Sequence, residues 1–140
     1  MPRLSHDAVR DFLAEHRNGV LITLKADGRP QSSNLFYGLR DDRIQISVTD
    51  SRSKTRNLRR DPRVSLHVTS DDFWTYLVVE GAAHLGDIAR EPGDAACQAL
   101  LAHYESLAGP HPDHAEFFAA QVAERRLLLS FAVEHVYPLA

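Results

Sequence analysis

A short basic segment, residues 52–63, carries the residue types best suited to bind an anion. It holds six of the sixteen Lys and Arg residues against one acid, Asp61, whereas the whole 140-residue chain has a net charge of −3. Arg52 offers a planar fork of donors and Lys54 a mobile point charge, a combination suited to phosphate. A local cationic site in an acidic chain favours a small anionic ligand over nucleic acid, which needs a broad basic face. The alternative is a solvated basic helix.

The elements around this segment would position it well for anion binding. Residues 44–48 alternate apolar and polar side chains, which predicts a strand, and the basic segment follows as a helix that ends before Pro62. The first N–H groups of a helix are exposed donors, and anions bind there readily. The order strand, turn, basic helix therefore predicts an anion site at the start of the helix.

The remaining periodicity predicts an α+β domain that spans residues 1–140. A helix follows an N-cap at Ser5, an Asp-Gly turn at 27–28 predicts a hairpin, and two further helices cover 94–107 and 113–124. Six strands in mostly consecutive antiparallel order would leave exposed edges unless they closed into a barrel. The predicted strands are residues 19–24, 30–39, 44–49, 64–68, 74–85 and 126–137.

Composition limits the classes of function. No apolar run approaches the ~20 residues of a membrane span, and the N-terminus has no signal-peptide pattern, so we expect a cytoplasmic protein that does not bind membranes. Cys97 is the single cysteine, which excludes an internal disulfide and a cysteine-based metal site. His103, His111 and His114 form only a loose cluster, and we expect no metal.

Five stretches, in order along nearly the whole chain, resemble the flavin- and deazaflavin-binding split barrels related to pyridoxamine phosphate oxidase. The run Lys-Thr-Arg-Asn-Leu-Arg-Arg-Asp-Pro-Arg at 54–63 most resembles small actinobacterial enzymes that use the deazaflavin coenzyme F420. The resemblance implies a six-stranded antiparallel split β-barrel with flanking helices. The matching stretches are residues 19–23, 27–34, 51–58, 60–63 and 79–85.

The resemblance also implies a homodimer with two cofactor sites in clefts at the interface. The turn from strand to helix would hold the cofactor phosphate through Arg52, Lys54 and Asn57. Ser47 and Thr49, at the end of the third strand, would lie beside this phosphate.

Ring and ribityl contacts are implied for Gln31, Ser33 and Asn34 on the second strand. Trp74 and Tyr76, two residues apart and thus predicted on one strand face, would reach the cofactor from the second subunit. The plain alternatives are a solvated strand for the first three and core or interface packing for the two aromatic residues. Arg125 and Arg126 are expected to be exposed residues at a strand edge; the alternative is contact with the anionic tail of a ligand.

The function implied is hydride transfer from reduced F420 to an electrophilic small molecule, for which no catalytic side chain is assigned. Arg56 and Arg60 favour F420, because this cofactor carries an anionic tail. An FMN-binding oxidoreductase of the same fold and a non-catalytic F420 or flavin carrier or sensor are the alternatives. Pyridoxamine is not expected as substrate, because the chain ends at 135–140 without the C-terminal segment that binds it. Residues 94–124 are expected to border the substrate pocket.

Overall fold

The computed structural model describes residues 7–138, which form four helices and nine strands; the predicted N-cap at Ser5 lies outside this range. The helices are α1 (Asp7–Glu15), α2 (Ser53–Arg60), α3 (Ala95–Ala108) and α4 (His114–Ala123). The strands are β1 (Asn18–Leu24), β2 (Pro30–Phe36), β3 (Gly38–Arg40), β4 (Arg43–Thr49), β5 (Arg63–Thr69), β6 (Tyr76–Ala82), β7 (His84–Leu85), β8 (Arg126–Ala132) and β9 (His135–Tyr137). None of these helices is long and apolar enough to cross a bilayer.

Two antiparallel sheets make up the barrel. One has the strand order β2-β1-β5-β6-β9 and the other β3-β4-β8-β7. Three of the six predicted strands change sheets partway, at Tyr37, at Ala83 and at residues 133–134, which is why nine strands are observed. Strands that bend from one sheet into another form the corners of orthogonally packed sheets. The α+β split barrel with flanking helices is thus confirmed, while the predicted extents of these three strands were too long.

The main core lies between the two sheets, because alternate residues of each strand point inward. Strands β1, β4, β5 and β8 all show this alternation, and their inward side chains include Leu21, Ile46, Leu66 and Leu129, which are fully buried. A second, smaller core joins α3 and α4 to the outer face of the four-stranded sheet. The helices therefore cover one outer face of the barrel.

Tyr37 occupies the corner where β2 passes into β3. Its ring is fully buried, and its hydroxyl lies within hydrogen-bond distance of the carbonyl oxygens of Leu13 (2.7 Å) and His16. Burial raises the pKa of Tyr37, so the phenol stays protonated and can donate. The corner thereby also fixes the C-terminal end of α1.

The outer face of the five-stranded sheet carries large exposed side chains. Phe36 on β2, Tyr76 on β6 and Tyr137 on β9 are its exposed aromatic residues. Trp74, 87% exposed, lies in the turn before β6, so the prediction that it shares a strand face with Tyr76 was wrong. The hydrogen bond from the Ser70 N–H to the Thr75 carbonyl oxygen (2.8 Å) closes a hairpin turn between β5 and β6. Trp74 lies within this turn.

The two sheets approach closely where β6 meets β8. A methyl group at Gly81 would lie 2.3 Å from the carbonyl oxygen of Ala132, far inside van der Waals contact. Beyond this point the Glu134 N–H donates to the Glu80 carbonyl oxygen (2.8 Å), and the chain enters β9. Glycine at position 81 therefore permits the sheets to meet at this corner.

We predict that Gly81→Ala lowers the free energy of unfolding by about 1–3 kcal/mol, because the added methyl group must displace backbone rather than a flexible side chain. Urea unfolding at a fixed protein concentration measures the change. Gly28→Asn is the control, since Gly28 has open space around it and Asn tolerates its positive φ. An equal loss in both variants would contradict the steric explanation.

Candidate functional site

Helix α2 begins without a side-chain cap. Its N-cap residue is Arg52, whose guanidinium has no acceptor to offer, and its first turn contains no acid. The Thr55 hydroxyl donates to the Thr49 carbonyl oxygen (2.7 Å) and fixes the turn, and the helical bonds start with the Arg56 N–H to the Arg52 carbonyl oxygen (3.1 Å). The N–H groups of residues 53–55 are consequently open to an anion.

Only part of the positive charge of residues 52–63 is available to a ligand. Arg52, Lys54 and Arg56 have no carboxylate partner among residues 7–138. Arg59 pairs with Asp50 (2.7 Å) and Arg63 with Asp61 (2.8 Å), which reduces the local charge that a ligand meets. Arg60 keeps its charge, since it donates to the neutral side-chain oxygen of Asn57 (3.0 Å), but this contact directs its guanidinium toward the chain.

Arg126, at the start of β8, joins Arg52 and Lys54 to form a group of three that we call the cation cluster. Its side chain is 31% exposed, donates to the Ser47 hydroxyl (3.1 Å) and pairs with the Glu124 carboxylate (2.8 Å), so the expectation of a simple exposed edge arginine was wrong for Arg126. Burial lowers the pKa of Lys54, and the charges of Arg52 and Arg126 lower it further. A bound anion would relieve this repulsion.

Asn57 and Gln31 tie α2 to the first two strands. The Asn57 amide donates to the Thr23 hydroxyl (3.1 Å) and to the Gln31 side-chain oxygen (2.6 Å), and Asn57 is buried. Asn57 lies one helical turn after Lys54, on the same side of α2. Both amides therefore position the helix, and their direct contact with a ligand stays a prediction.

Asp50 also fixes the turn between β4 and α2. Its carboxylate pairs with Arg59 (2.7 Å) and Arg125 (3.2 Å), while its N–H donates to the Arg125 carbonyl oxygen (3.0 Å). The hydrogen bonds from Arg59 and Arg125 lower the pKa of Asp50, so it is ionised at neutral pH. The start of α2 is thereby joined to the start of β8, which brings Arg126 to the site.

The other predicted site residues are divided between two surfaces. Ser33 points inward from β2, opposite Leu21, and shares that side with Gln31. Asn34 points outward, opposite Val20, onto the outer face of the five-stranded sheet. Tyr76 lies on that face too, three strands from β2 and thus about 14 Å away at ~4.8 Å per strand. One chain therefore does not bring Asn34, Trp74 or Tyr76 to the cation cluster.

A cavity of about 740 Å³ lies next to the cation cluster, between α3, α4 and the four-stranded sheet. Ser47 and Arg126 line one end, and the walls include Leu100, Tyr104 and Phe117. This volume is within the ~300–1,000 Å³ of small-molecule sites. Side chains from Leu100 to Glu124 on α3 and α4 line this cavity, while the role of residues 94–124 in binding substrate stays a prediction.

Two cavity residues, Phe36 and Gln121, were not identified from the sequence and belong to no recognisable motif. His103 and Arg126 were considered, but only as part of a weak histidine cluster and as an exposed arginine. The one signal for Arg126 was its place at the start of an alternating strand. Among residues 7–138 no group of three or more His, Cys, Asp or Glu side chains is placed to hold a metal ion.

Comparisons with known proteins agree with this geometry. The family model described as pyridoxamine 5'-phosphate oxidase matches residues 5–140. The conserved hypothetical protein Rv2991 from Mycobacterium tuberculosis is 25% identical, with a TM-score of 0.73 over 94% of this chain and 81% of that one. A solved F420 reductase is 25% identical, with a TM-score of 0.63 over 91% and 94%. A heme binding protein from Mycobacterium smegmatis is 26% identical, with a TM-score of 0.66 over 97% and 53%.

We predict that phosphate monoester binding weakens at alkaline pH, starting below the usual titration range of lysine. The lowered pKa of Lys54 means that rising pH removes its charge early, whereas the ligand is a constant dianion well above its second pKa of about 6. Calorimetric titration with glycerol phosphate from pH 7.5 to 10 measures the decline.

Lys54→Arg serves as the control for this pH dependence, because a guanidinium stays charged over the whole range. Its affinity for glycerol phosphate is expected to stay constant over the pH range in which the affinity of the native protein falls. The same alkaline decline in Lys54→Arg would assign the pH dependence to another group.

Proposed function

Because the chain belongs to the pyridoxamine 5'-phosphate oxidase family, we propose that it is an oxidoreductase that uses coenzyme F420 to reduce an electrophilic small molecule. The observation that carries this proposal is the continuity of the cation cluster with the 740 Å³ cavity. A ligand in which a short arm joins a planar ring to a phosphate matches that arrangement. The F420 reductase among the structural relatives supports the choice of deazaflavin.

The cation cluster fits the phosphate of such a cofactor. Arg52 and Lys54 stand at the open start of α2, and Arg126 reaches the same point from β8, held by Ser47. The unpaired Arg52 and Lys54, together with Arg126 and the free helix N–H groups, suit a phosphate group. The first turn of α2 contains no acid, and Glu124, which pairs with Arg126, is the carboxylate beside the cluster. Ser47 and Thr49, both facing outward from β4, complete the polar surroundings.

The cavity would then receive the ring and the substrate together. When bound, reduced F420 supplies a hydride, and an electrophilic double bond accepts it. The chain itself has to orient the two partners and exclude water, for which the apolar walls Leu100, Tyr104 and Phe117 are suited. No side-chain nucleophile is required for this chemistry.

We also propose that the chain forms a homodimer through the outer face of the five-stranded sheet. Phe36 (73% exposed), Tyr76 and Tyr137 project from this face, while Val20 and Ile22 lie half-buried between them. The element contacts place α3 and α4 on the other sheet, so this apolar surface is left for a partner. Phe36 borders the cavity as well, which would bring the partner next to the cofactor.

Fluorescence titration of the purified protein with F420, FMN and heme, each separately, tests the cofactor assignment. We expect the tightest binding for F420. Tighter binding of FMN would keep the fold and transfer the chemistry to a flavin, whereas tighter binding of heme would align the chain with its heme binding relative and contradict the proposal.

We predict that Lys54→Ala and Arg52→Ala each weaken F420 binding by about 10- to 150-fold, because each removes a charge-assisted bond worth ~1.5–3 kcal/mol. The same fluorescence titration measures this change. Lys25→Ala and Arg29→Ala are matched controls in the exposed hairpin turn and are expected to bind normally. Unchanged affinity in both cluster variants would move the phosphate site elsewhere.

A further prediction concerns the oligomer. Ile22→Glu is expected to convert the dimer to a monomer and to weaken F420 binding, because it places a charge at the centre of the proposed interface. Sedimentation velocity measures the oligomeric state. Ala119→Glu, on the exposed side of α4, is expected to remain dimeric. A monomeric native protein that binds F420 at full strength would overturn the interface model.

A further inference from the structure

Two polar side chains in the cavity are almost fully buried yet make no hydrogen bond with any residue of 7–138. His103 on α3 is 6% exposed and Gln121 on α4 is 8% exposed, and both line the cavity. The Nδ1 atom of His103 is enclosed and has no partner within the described part of the chain. A buried polar atom left unpaired costs about 1–3 kcal/mol, and this cost applies to His103 Nδ1. The Gln121 amide is not fully enclosed, so it is open to a partner in the cavity.

The His103 imidazole is neutral at physiological pH. Burial, together with the nearby Arg40 guanidinium, lowers its pKa to about 4. A neutral imidazole has one donor and one acceptor nitrogen. Because the enclosed Nδ1 finds no acceptor, the proton is favoured on Nε2, which leaves an N–H donor for the cavity.

The register of the sheet sets the distance between His103 and the cation cluster. The His103 ring packs over Gly38, where an added methyl group would lie 3.3 Å from it, and Gly38 pairs with Gln45 on β4. Ser47 is two residues farther along β4, a displacement of about 7 Å. His103 therefore lies about 7 Å along the sheet from the Ser47 end of the cavity.

The surroundings of these two side chains are mostly apolar. Leu100, Leu107 and Phe117 line the same cavity. A ligand that fits such walls is itself largely apolar, and it would meet only neutral hydrogen-bonding groups at His103 and Gln121. The matching ligand group is a neutral acceptor such as a carbonyl oxygen.

We propose that His103 and Gln121 are specificity-determining residues that hydrogen-bond a neutral carbonyl group of an otherwise apolar substrate. This inference rests on the proposed function for the identity of the reaction, but its binding step can be tested without the cofactor. A ligand that lacks the acceptor would fill the cavity and leave the His103 and Gln121 side chains without a hydrogen-bond partner. The site would therefore discriminate against such a ligand.

Two probes of nearly equal shape test this proposal, 2-acetylnaphthalene with a carbonyl oxygen and 2-isopropylnaphthalene without one. The native protein is expected to bind the ketone roughly tenfold more tightly, the ratio that one hydrogen bond of about 1.4 kcal/mol provides. Calorimetric titration measures both dissociation constants. His103→Phe and Gln121→Leu are expected to reduce the preference, whereas His114→Gln, an exposed histidine on α4, is expected to retain it.

A second measurement needs no variant. The ketone is expected to shift the ¹⁵N resonances of the His103 ring, and the hydrocarbon is expected to leave them in place. The proposal would be overturned if the protein bound both probes equally or bound neither. It would also be overturned if both cavity variants retained the preference or if the His103 resonances did not move. Titration of the same preparation with F420 tests the proposed function separately. A protein that prefers the ketone but does not bind F420 would contradict only the cofactor assignment.

Discussion

The passage of three strands from one sheet to the other is the constraint on which the rest of the structure depends. It requires the sheets to touch at their corners, and at Gly81 the contact is with the backbone carbonyl of Ala132, so no side chain can intervene. Each sheet then buries its inner face against the other. The two outer faces differ. Helices α3 and α4 cover the outer face of the four-stranded sheet, whereas Phe36 and Tyr76 are exposed on that of the five-stranded sheet.

Polar bonds of moderate strength then orient the helix that carries the charge. Asn57 holds α2 to β1 and β2, and Asp50 holds its start to β8. These contacts keep the uncapped end of α2 beside Arg126, an arrangement that is electrostatically unfavourable in the absence of a ligand. The lowered pKa of Lys54 reflects the same repulsion. This repulsion is therefore a property of the fold, because the like charges are held in place by bonds elsewhere.

Local signals in the sequence predicted most elements well. The Asp94 cap of α3, the Asp113 cap of α4 and the left-handed Gly28 in the hairpin all occur where the residue types indicated. The strand changes at Tyr37 and Ala83 could not be predicted in the same way. Alternation of apolar and polar residues reports which side of a strand is buried, and it continues unchanged when the strand bends into another sheet.

The sequence by itself determined the fold class, the order of strand, turn and basic helix, and the concentration of positive charge at residues 52–63. Each of these follows from residues that are neighbours in the chain. Only the tertiary structure decided which cations stay available to a ligand, because Arg59 pairs with Asp50 across the turn. It also decided that Arg126, from another strand, lies beside them. The same holds for His103, whose burial beside the cavity depends on how α3 packs on Gly38. Charge pairing and burial are set by contacts between distant segments, which local periodicity does not encode.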